Sequence, residues 1–286
     1  MKIGINTLLW TAGFSPEHFP LLAKVKRWGF DGIEIARFDF DGFPVAQVRR
    51  AVEDAGLGCT FCSALTGSMS LVSDDAAIRA QTRGFLLRGI EVAAELGSPV
   101  FLGPFVAPVG QLLGRRRTED EWKLAVEGLA SLHHALDTHG VALGIEPLNR
   151  FETYFLNTAA DAARLCDAVG DPCVGVLLDT FHANIEEKTI MDAVNVLGKR
   201  IRHVHTCEND RGIPGSGHVD WDGLFASLNR TAYDGWLVIE SFGHTIPEIA
   251  AAACIWRDLA PTSEAIAVEG LRFLRGMTER GLPARA

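Results

Sequence analysis

Four residues whose side chains can bind metals or move protons each stand at the end of a short apolar run. They are Glu146, Asp179, His205 and Glu240. If they met at one place, three carboxylates would repel one another unless a cation lay between them. Carboxylate oxygens with one imidazole nitrogen suit Mn²⁺, Mg²⁺ or Co²⁺ better than structural zinc, which favours cysteine and histidine. An isolated acid in such a position is often only a helix cap, so the metal-site prediction depends on convergence of the four.

The apolar runs belong to a regular alternation of strand-like and helix-like segments. Short runs bounded by turn residues predict eight buried strands, at residues 3–6, 32–36, 58–64, 99–103, 141–146, 174–179, 201–206 and 236–241. Amphipathic segments predict eight helices, at residues 16–28, 45–55, 74–96, 118–139, 158–169, 189–197, 221–229 and 263–280. Eight strand–helix pairs predict an α/β fold, a (β/α)8 TIM barrel. An open doubly wound sheet fits less well, because no G-x-G-x-x-G motif follows the first strand.

In such a barrel the C-terminal ends of the strands surround one mouth, which holds the catalytic residues. The four candidate ligands end the fifth, sixth, seventh and eighth predicted strands. This placement favours a shared metal site over four independent helix caps. His203 lies two residues before His205, so we expect it one layer deeper on the same face, as a packing or supporting residue.

Length and composition restrict the class of protein. A chain of 286 residues with 48% hydrophobic residues fits one large core, so we predict a single domain over residues 1–286. The net charge of −9 argues against a nucleic-acid partner, and the basic run at 115–117 is predicted to be a solvated loop. No apolar stretch reaches the roughly 18 to 20 residues that cross a bilayer, and the N-terminus lacks a signal-peptide pattern. We therefore expect a cytoplasmic protein without a membrane partner, its six scattered cysteines reduced.

Several segments resemble the ketose 3-epimerases, the D-tagatose, D-psicose (D-allulose) and L-ribulose 3-epimerase group of the xylose-isomerase-like TIM barrels. The most specific segments are E-P-L-N-R-F-E at 146–152 and L-D-T-F-H-A-N-I-E-E at 178–187. The similarity also includes G-F-D-G-I-E-I at 29–35, H-V-H at 203–205, I-E-S-F at 239–242 and W-R-D at 256–258. It covers nearly the whole chain, whereas the four candidate ligands alone are shared by the wider superfamily.

The resemblance implies a chemistry for the strand-end residues. One divalent metal per subunit, expected to be Mn²⁺ with Co²⁺ or Mg²⁺ as alternatives, would be held by Glu146, Asp179, His205 and Glu240. It would bind the C2 carbonyl and C3 hydroxyl oxygens of a free ketose. Glu146 and Glu240 would remove and return the C3 proton from opposite faces, through a cis-enediolate. The implied activity is C3 epimerisation, carried out by a homodimer or homotetramer.

The same resemblance suggests residues that contact the sugar. Glu152 and His182 are expected near O2 and O3, and Arg211 at the C1 end, although Arg211 could instead pair with an acid of its own loop. Cys62 matches a family position near the substrate. A zinc or redox role for Cys59 with Cys62 is disfavoured, because a spacing of three on a strand points the two thiols to opposite faces.

The far end of the sugar is where this sequence departs from the family pattern. Asn6 stands where relatives often have an aromatic residue, and the loop at 103–110 lacks a tryptophan that many relatives carry. Trp10 and Phe105 follow the first and fourth predicted strands, and they either pack against the sugar or belong to the core. The resemblance therefore leaves the preferred ketose open.

Three other functions fit parts of the pattern. A hydroxypyruvate isomerase or inosose dehydratase would use the same metal-binding residues. A DNA-repair endonuclease is disfavoured by the acidic charge and by too few histidines for a three-metal cluster. An inactive sugar-binding barrel would keep the residues without turnover.

Overall fold

Eight parallel strands pair in chain order, and β1 pairs with β8 to close a barrel. The computed structural model describes residues 1–280, so residues 281–286 of the predicted domain lie outside the described residues. The closed barrel confirms the predicted (β/α)8 architecture. Its strands are β1 (Lys2–Asn6), β2 (Gly32–Ala36), β3 (Gly58–Cys62), β4 (Val100–Gly103), β5 (Ala142–Ile145), β6 (Val174–Asp179), β7 (Ile201–His205) and β8 (Trp236–Ile239).

Helices follow the strands and cover the outside of the barrel. They are α1 (Phe19–Trp28), α2 (Val45–Asp54), α3 (Ala76–Leu96), α4 (Glu119–Ala130), α5 (His133–His139), α6 (Ala159–Val169), α7 (Thr180–Glu186), α8 (Ile190–Leu197), α9 (Trp221–Arg230), α10 (Pro247–Ala252) and α11 (Ser263–Glu279). Among residues 1–280, no helix combines the length and the apolar character that a membrane crossing requires.

Two features of the helical layer differ from the sequence prediction. The helix predicted at 118–139 is divided into α4 and α5, and Ser131 at the break donates a hydrogen bond from Oγ to the Gly128 carbonyl at 2.6 Å. Such side-chain bonds to the preceding turn bend or interrupt helices. The short helices α7 and α10 were not predicted, because one or two turns are too few to show a helical period.

The N-terminal end of the barrel is filled by the indole of Trp236, the first residue of β8. A Cβ atom on Gly32 would lie 2.5 Å from Trp236 Cη2, and one on Gly58 would lie 2.7 Å from it. Only glycine therefore fits at these two positions. The Lys2 ammonium lies 5.2 Å from the centre of the indole. This packing closes the floor of the barrel beneath the candidate site.

Two arginines of the basic loop at 115–117 form hydrogen bonds to neighbouring elements. Arg115 donates from Nη1 and Nη2 to both carboxylate oxygens of Glu121 at 2.9 Å, and the Tyr154 hydroxyl donates to Glu121 Oε1 at 2.8 Å. Arg117 donates to the Phe155 carbonyl at 2.6 Å. The segment is a loop with Arg115 and Arg116 exposed, as predicted, while Arg115 and Arg117 also join the loop after β4 to the loop after β5.

Candidate active site

The structure brings the four strand-end residues together at the C-terminal mouth. One potential ligand atom from each of Glu146, Asp179, His205 and Glu240 lies within 4.8 Å of the other three. All four side chains are buried. Register explains part of this arrangement, since Asp179 pairs with His205 across β6 and β7.

Asp179 combines the two roles that the sequence left as alternatives. Its Oδ1 accepts the backbone N–H of Phe181 at 2.7 Å and caps α7. Its Oδ2 faces the site, 3.3 Å from Arg211 Nη1 and 3.7 Å from His182 Nε2. A carboxylate has two oxygens, so capping the helix leaves one free for a ligand.

The donor set fits a hard divalent cation. His205 Nδ1 is buried, lies 3.4 Å from Glu240 Oε1 and has no hydrogen-bond partner. A buried polar nitrogen without a partner is costly, and coordination to a metal would satisfy it. Three carboxylates with one imidazole are the donors that Mn²⁺ and Mg²⁺ accept.

The pKa values of the two glutamates in this cluster shift in opposite directions. Burial, followed by repulsion from Glu240, raises the pKa of Glu146 well above its ordinary value. Burial also opposes ionisation of Glu240, but His205 and the Arg211 guanidinium outweigh it and lower that pKa to about 2. Without a cation, Glu146 is therefore more easily protonated than Glu240.

Arg211 points into the site rather than toward the acids of its own loop. Its Nη1 donates to Glu240 Oε2 at 2.8 Å and lies 3.3 Å from Asp179 Oδ2. The guanidinium carbon lies 4.1 Å from the ring centre of Phe181 and 4.5 Å from that of Phe242. The carboxylates outweigh the cost of burial and raise the Arg211 pKa further.

The loop that carries Arg211 is organised by a buried carboxylate, Glu208. Its two oxygens accept the Trp221 indole N–H at 3.0 Å and the backbone N–H groups of Gly215 and Val219 at 2.8 and 3.0 Å. The Arg211 N–H donates to the Glu208 carbonyl at 2.9 Å. Arg211 itself has a left-handed φ of 61°, a strained conformation that this network maintains.

His182, Asn149 and Glu152 form one hydrogen-bonded group beside Glu146. The Asn149 backbone N–H donates to His182 Nδ1 at 3.1 Å, so His182 carries its proton on Nε2, which lies 3.6 Å from Glu146 Oε1. The Asn149 side chain donates to Glu152 Oε1 at 2.8 Å. Desolvation on burial, followed by repulsion from Arg211, lowers the pKa of His182 well below its ordinary value.

A cavity of about 420 Å³ opens over the four clustered residues. Glu146, Glu152, His182, His205, Arg211 and Glu240 form its polar side, and Cys62 lies at its edge. Burial, followed by repulsion from Glu34, raises the pKa of the Cys62 thiol well above its ordinary value, so the group is a thiol and not a thiolate. The remaining wall is mainly apolar and includes residues of α10.

Three of the predicted sugar contacts are not among the residues that line this cavity. Asn6 is fully buried, donates to Glu34 Oε1 at 2.8 Å and lies behind Cys62. Trp10 stacks on Trp28 with ring centres 6.0 Å apart. Phe105 is buried in the core with its ring centre 4.4 Å from that of Phe101.

Sequence reasoning missed three residues that organise the site. Glu34 lies beneath His205, Asn149 orients His182, and Glu208 supports the Arg211 loop. A signal was present for Glu34, since it is a charged residue between two isoleucines in a buried strand. Asn149 and Glu208 lie in loops, where sequence pattern does not reveal which side chains turn inward.

Comparison with known proteins agrees with this geometry. A family model described as a xylose isomerase-like TIM barrel matches residues 22–277. The chain is 38% identical over 275 residues to a probable ketose 3-epimerase of Synechocystis sp., with 96% of each chain covered. It is 33% identical over 265 residues to a D-psicose 3-epimerase of Agrobacterium fabrum, with 91% of each covered.

Solved structures extend the likeness to three dimensions. An L-ribulose 3-epimerase superposes with a TM-score of 0.93 at 29% sequence identity, covering 98% of this chain and 95% of the other. Fold, site geometry and sequence similarity over nearly the full length all indicate the same protein family. The chain belongs to the ketose 3-epimerase family of the xylose isomerase-like TIM barrels.

Proposed function

We propose that this protein is a divalent-metal-dependent epimerase that inverts C3 of free ketoses of the D-tagatose, D-fructose/D-allulose or L-ribulose type. The observation that carries the proposal is the convergence of Glu146 and Glu240 with Asp179 and His205 in one buried cluster. The 38% identity to a probable ketose 3-epimerase over 96% of the chain supports the substrate class.

The four clustered residues would hold the cation, for which we propose Mn²⁺. When bound, a divalent cation supplies Lewis-acid polarisation of the C2 carbonyl, which acidifies the C3 hydrogen. Its charge would also oppose the burial and the repulsion from Glu240 that raise the pKa of Glu146.

The two glutamates would carry the proton transfers. Inversion of C3 needs a base on one face of the carbon and an acid on the other. Glu146 follows β5 and Glu240 follows β8, so the two carboxyl groups approach the mouth from different strands. In the reverse reaction the same two groups exchange roles.

Polar residues beside this pair would orient the sugar. His182 presents its Nε2–H toward Glu146, and Arg211 presents two nitrogens toward the same space. Glu152 lies at the cavity wall and would bind a sugar hydroxyl. The Cys62 thiol lines the same cavity. Asn6, Trp10 and Phe105 would influence the sugar only through the residues in front of them.

Solvent deuterium provides the decisive test. The enzyme with Mn²⁺ should exchange the C3 hydrogen of D-fructose or D-tagatose with solvent, and Glu146→Gln should slow this exchange by about 10²- to 10⁴-fold, the usual share of an acid–base residue. Glu127→Gln, an exposed acid on α4, serves as the matched control. Label only at C1 or C2 would instead identify a sugar isomerase, and full turnover by Glu146→Gln would contradict the catalytic assignment.

Assembly and location are further proposals. We infer a homodimer or homotetramer in the cytoplasm, by similarity to the family. Light scattering coupled to size-exclusion chromatography would give the subunit number, and a monomer at micromolar concentration would contradict it.

A further inference from the structure

A fully buried carboxylate, Glu34 on β2, lies directly beneath the candidate ligand His205. Its Oε1 accepts the Asn6 side-chain N–H at 2.8 Å and lies 2.7 Å from His205 Nε2. Its Oε2 accepts the Thr60 hydroxyl at 2.9 Å and lies 2.9 Å from His203 Nε2. The strand register sets this group, because Asn6, Glu34 and Thr60 pair side by side across β1, β2 and β3.

The contact with Glu34 determines which nitrogen of His205 faces the mouth. An ionised carboxylate can only accept a hydrogen bond, so Nε2 must carry the proton that points at Glu34. In the neutral imidazole that metal binding requires, the lone pair of Nδ1 then lies on the opposite side of the ring. That atom lies 3.4 Å from Glu240 Oε1 and has no hydrogen-bond partner.

We propose that Glu34 is a positioning residue of the metal site, which fixes His205 in the tautomer and ring orientation that presents Nδ1 to the cation. The proposal rests on the metal site of the proposed function and adds a residue that does not itself contact the cation or the sugar. Carboxylate partners of this kind orient histidine ligands and strengthen them as donors. Asn6 and Thr60 in turn hold Glu34, which gives Asn6 a role although it does not line the cavity.

A second cation site is the competing explanation of the same residues. One ligand atom each from Glu34, His203 and His205 also lies within 4.8 Å of the others. Two observations oppose it. Both oxygens of Glu34 already accept hydrogen bonds, from Asn6 and Thr60, and neither Glu34 nor His203 lines the cavity through which an ion would enter.

Calorimetric titration of the metal-free protein with Mn²⁺ tests the proposal without reference to turnover. Glu34→Gln keeps the shape of the side chain but removes the negative charge that faces His205 Nε2. We expect one Mn²⁺ per wild-type chain and an affinity about 10- to 100-fold lower in the variant. Glu127→Gln removes an exposed acid of α4 outside the site and should keep the wild-type affinity.

Thermal unfolding of the metal-free variants shows whether the fold is retained, and Glu34→Asp offers a charged replacement if Glu34→Gln fails to fold. Unchanged affinity in Glu34→Gln, or an equal loss in Glu127→Gln, would overturn the proposal. Two Mn²⁺ per wild-type chain, falling to one in Glu34→Gln, would establish the second cation site in its place.

Nitrogen-15 spectra of the histidines provide a measurement that needs no change at Glu34. In the Zn²⁺-loaded wild type, the His205 signal, identified by its absence in His205→Asn, should show a proton on Nε2 and none on Nδ1. A proton on Nδ1 would overturn the assignment. A protein that binds its metal in this way but leaves the C3 hydrogen of ketoses unexchanged would refute the proposed function alone.

Discussion

The Arg211 side chain contacts both charged and aromatic residues at the mouth of the barrel. Its guanidinium lies between the rings of Phe181 and Phe242, while Nη1 reaches Glu240 and Nη2 lies 3.3 Å from His182 Nε2. A planar cation can donate to the Glu240 carboxylate from its edge while its faces pack against the two rings. The ammonium of lysine is a point charge without the planar face that packs between two rings.

Replacement of Arg211 by lysine should therefore lower kcat/KM, although the charge is kept. Loss of one hydrogen bond to a charged group is worth about 2 kcal/mol, which corresponds to a decrease of about 30-fold. Steady-state kinetics on D-fructose with Mn²⁺ would measure it. Arg257→Lys is the matched control, since Arg257 bonds to Asp210 of the same loop but is exposed and outside the cavity. Wild-type kinetics in Arg211→Lys would show that the guanidinium geometry is not used.

Reading the ends of the predicted strands was enough to find the four clustered residues, because the barrel geometry directs those side chains into one mouth. The same rule could not find Glu34, which lies in the middle of β2 and one layer below the mouth. It also could not place Trp10 and Phe105, since an aromatic residue after a strand packs equally well against sugar or core. The structure places both in contact with other aromatic rings.

At the scale of elements, the start of α4 joins two loops of the mouth. Glu121 forms a capping box with Thr118 and also accepts hydrogen bonds from Arg115 and Tyr154. Burial opposes its ionisation, but the bonds from Arg115, the Thr118 N–H and Tyr154 outweigh it and lower the pKa of Glu121 to about 2. One carboxylate therefore ties the helix start to the loops after β4 and β5.

The low pKa of Glu121 predicts a pH-dependent contribution to stability. The folded-state value of about 2 lies below the ordinary 4.5, so the ionised form stabilises the fold. This contribution is complete above about pH 4.5 and is lost as the pH falls toward 2. Glu121→Gln should cost about 2 kcal/mol of unfolding free energy at pH 7, a figure reduced for the half-exposed Arg115, and less at pH 3.

Urea unfolding at pH 7 and pH 3 would measure both quantities for Glu121→Gln. Glu127→Gln removes an exposed acid of the same helix and should change stability by less than about 0.5 kcal/mol. A pH-independent cost in Glu121→Gln would contradict ionisation as the cause.

The eight strands could be predicted with ends correct to within a few residues, because each is an apolar run ended by a polar or turn residue. The helices were predicted less completely. The two that were missed, α7 and α10, border the cavity region, where a helix is held by its cap and its tertiary contacts rather than by an amphipathic repeat. The local pattern of a sequence is weakest where the fold is adapted to a ligand.

For the whole molecule, the clustered carboxylates couple metal binding to stability. A ligand that binds only the folded chain at 100 times its dissociation constant adds about 2.7 kcal/mol to the unfolding free energy. Excess Mn²⁺ should therefore raise the Tm of the metal-free protein by roughly 5 to 10 °C.

Differential scanning calorimetry with and without Mn²⁺ would measure this shift. Asp179→Asn keeps the oxygen that caps α7 but removes a charged ligand, so the increase should largely disappear in that variant. An equal increase in Asp179→Asn would show that Mn²⁺ stabilises the protein from another site.

The indole that fills the floor of the barrel has a consequence for the kinetics of the reaction. Because Trp236 closes the end formed by Gly32 and Gly58, a ketose and its epimer would use the same entrance and occupy the same site beside Glu146 and Glu240. Substrate and product would then pass through one entrance, and each would exclude the other from the site. Initial-rate measurements should accordingly show purely competitive inhibition by the product epimer.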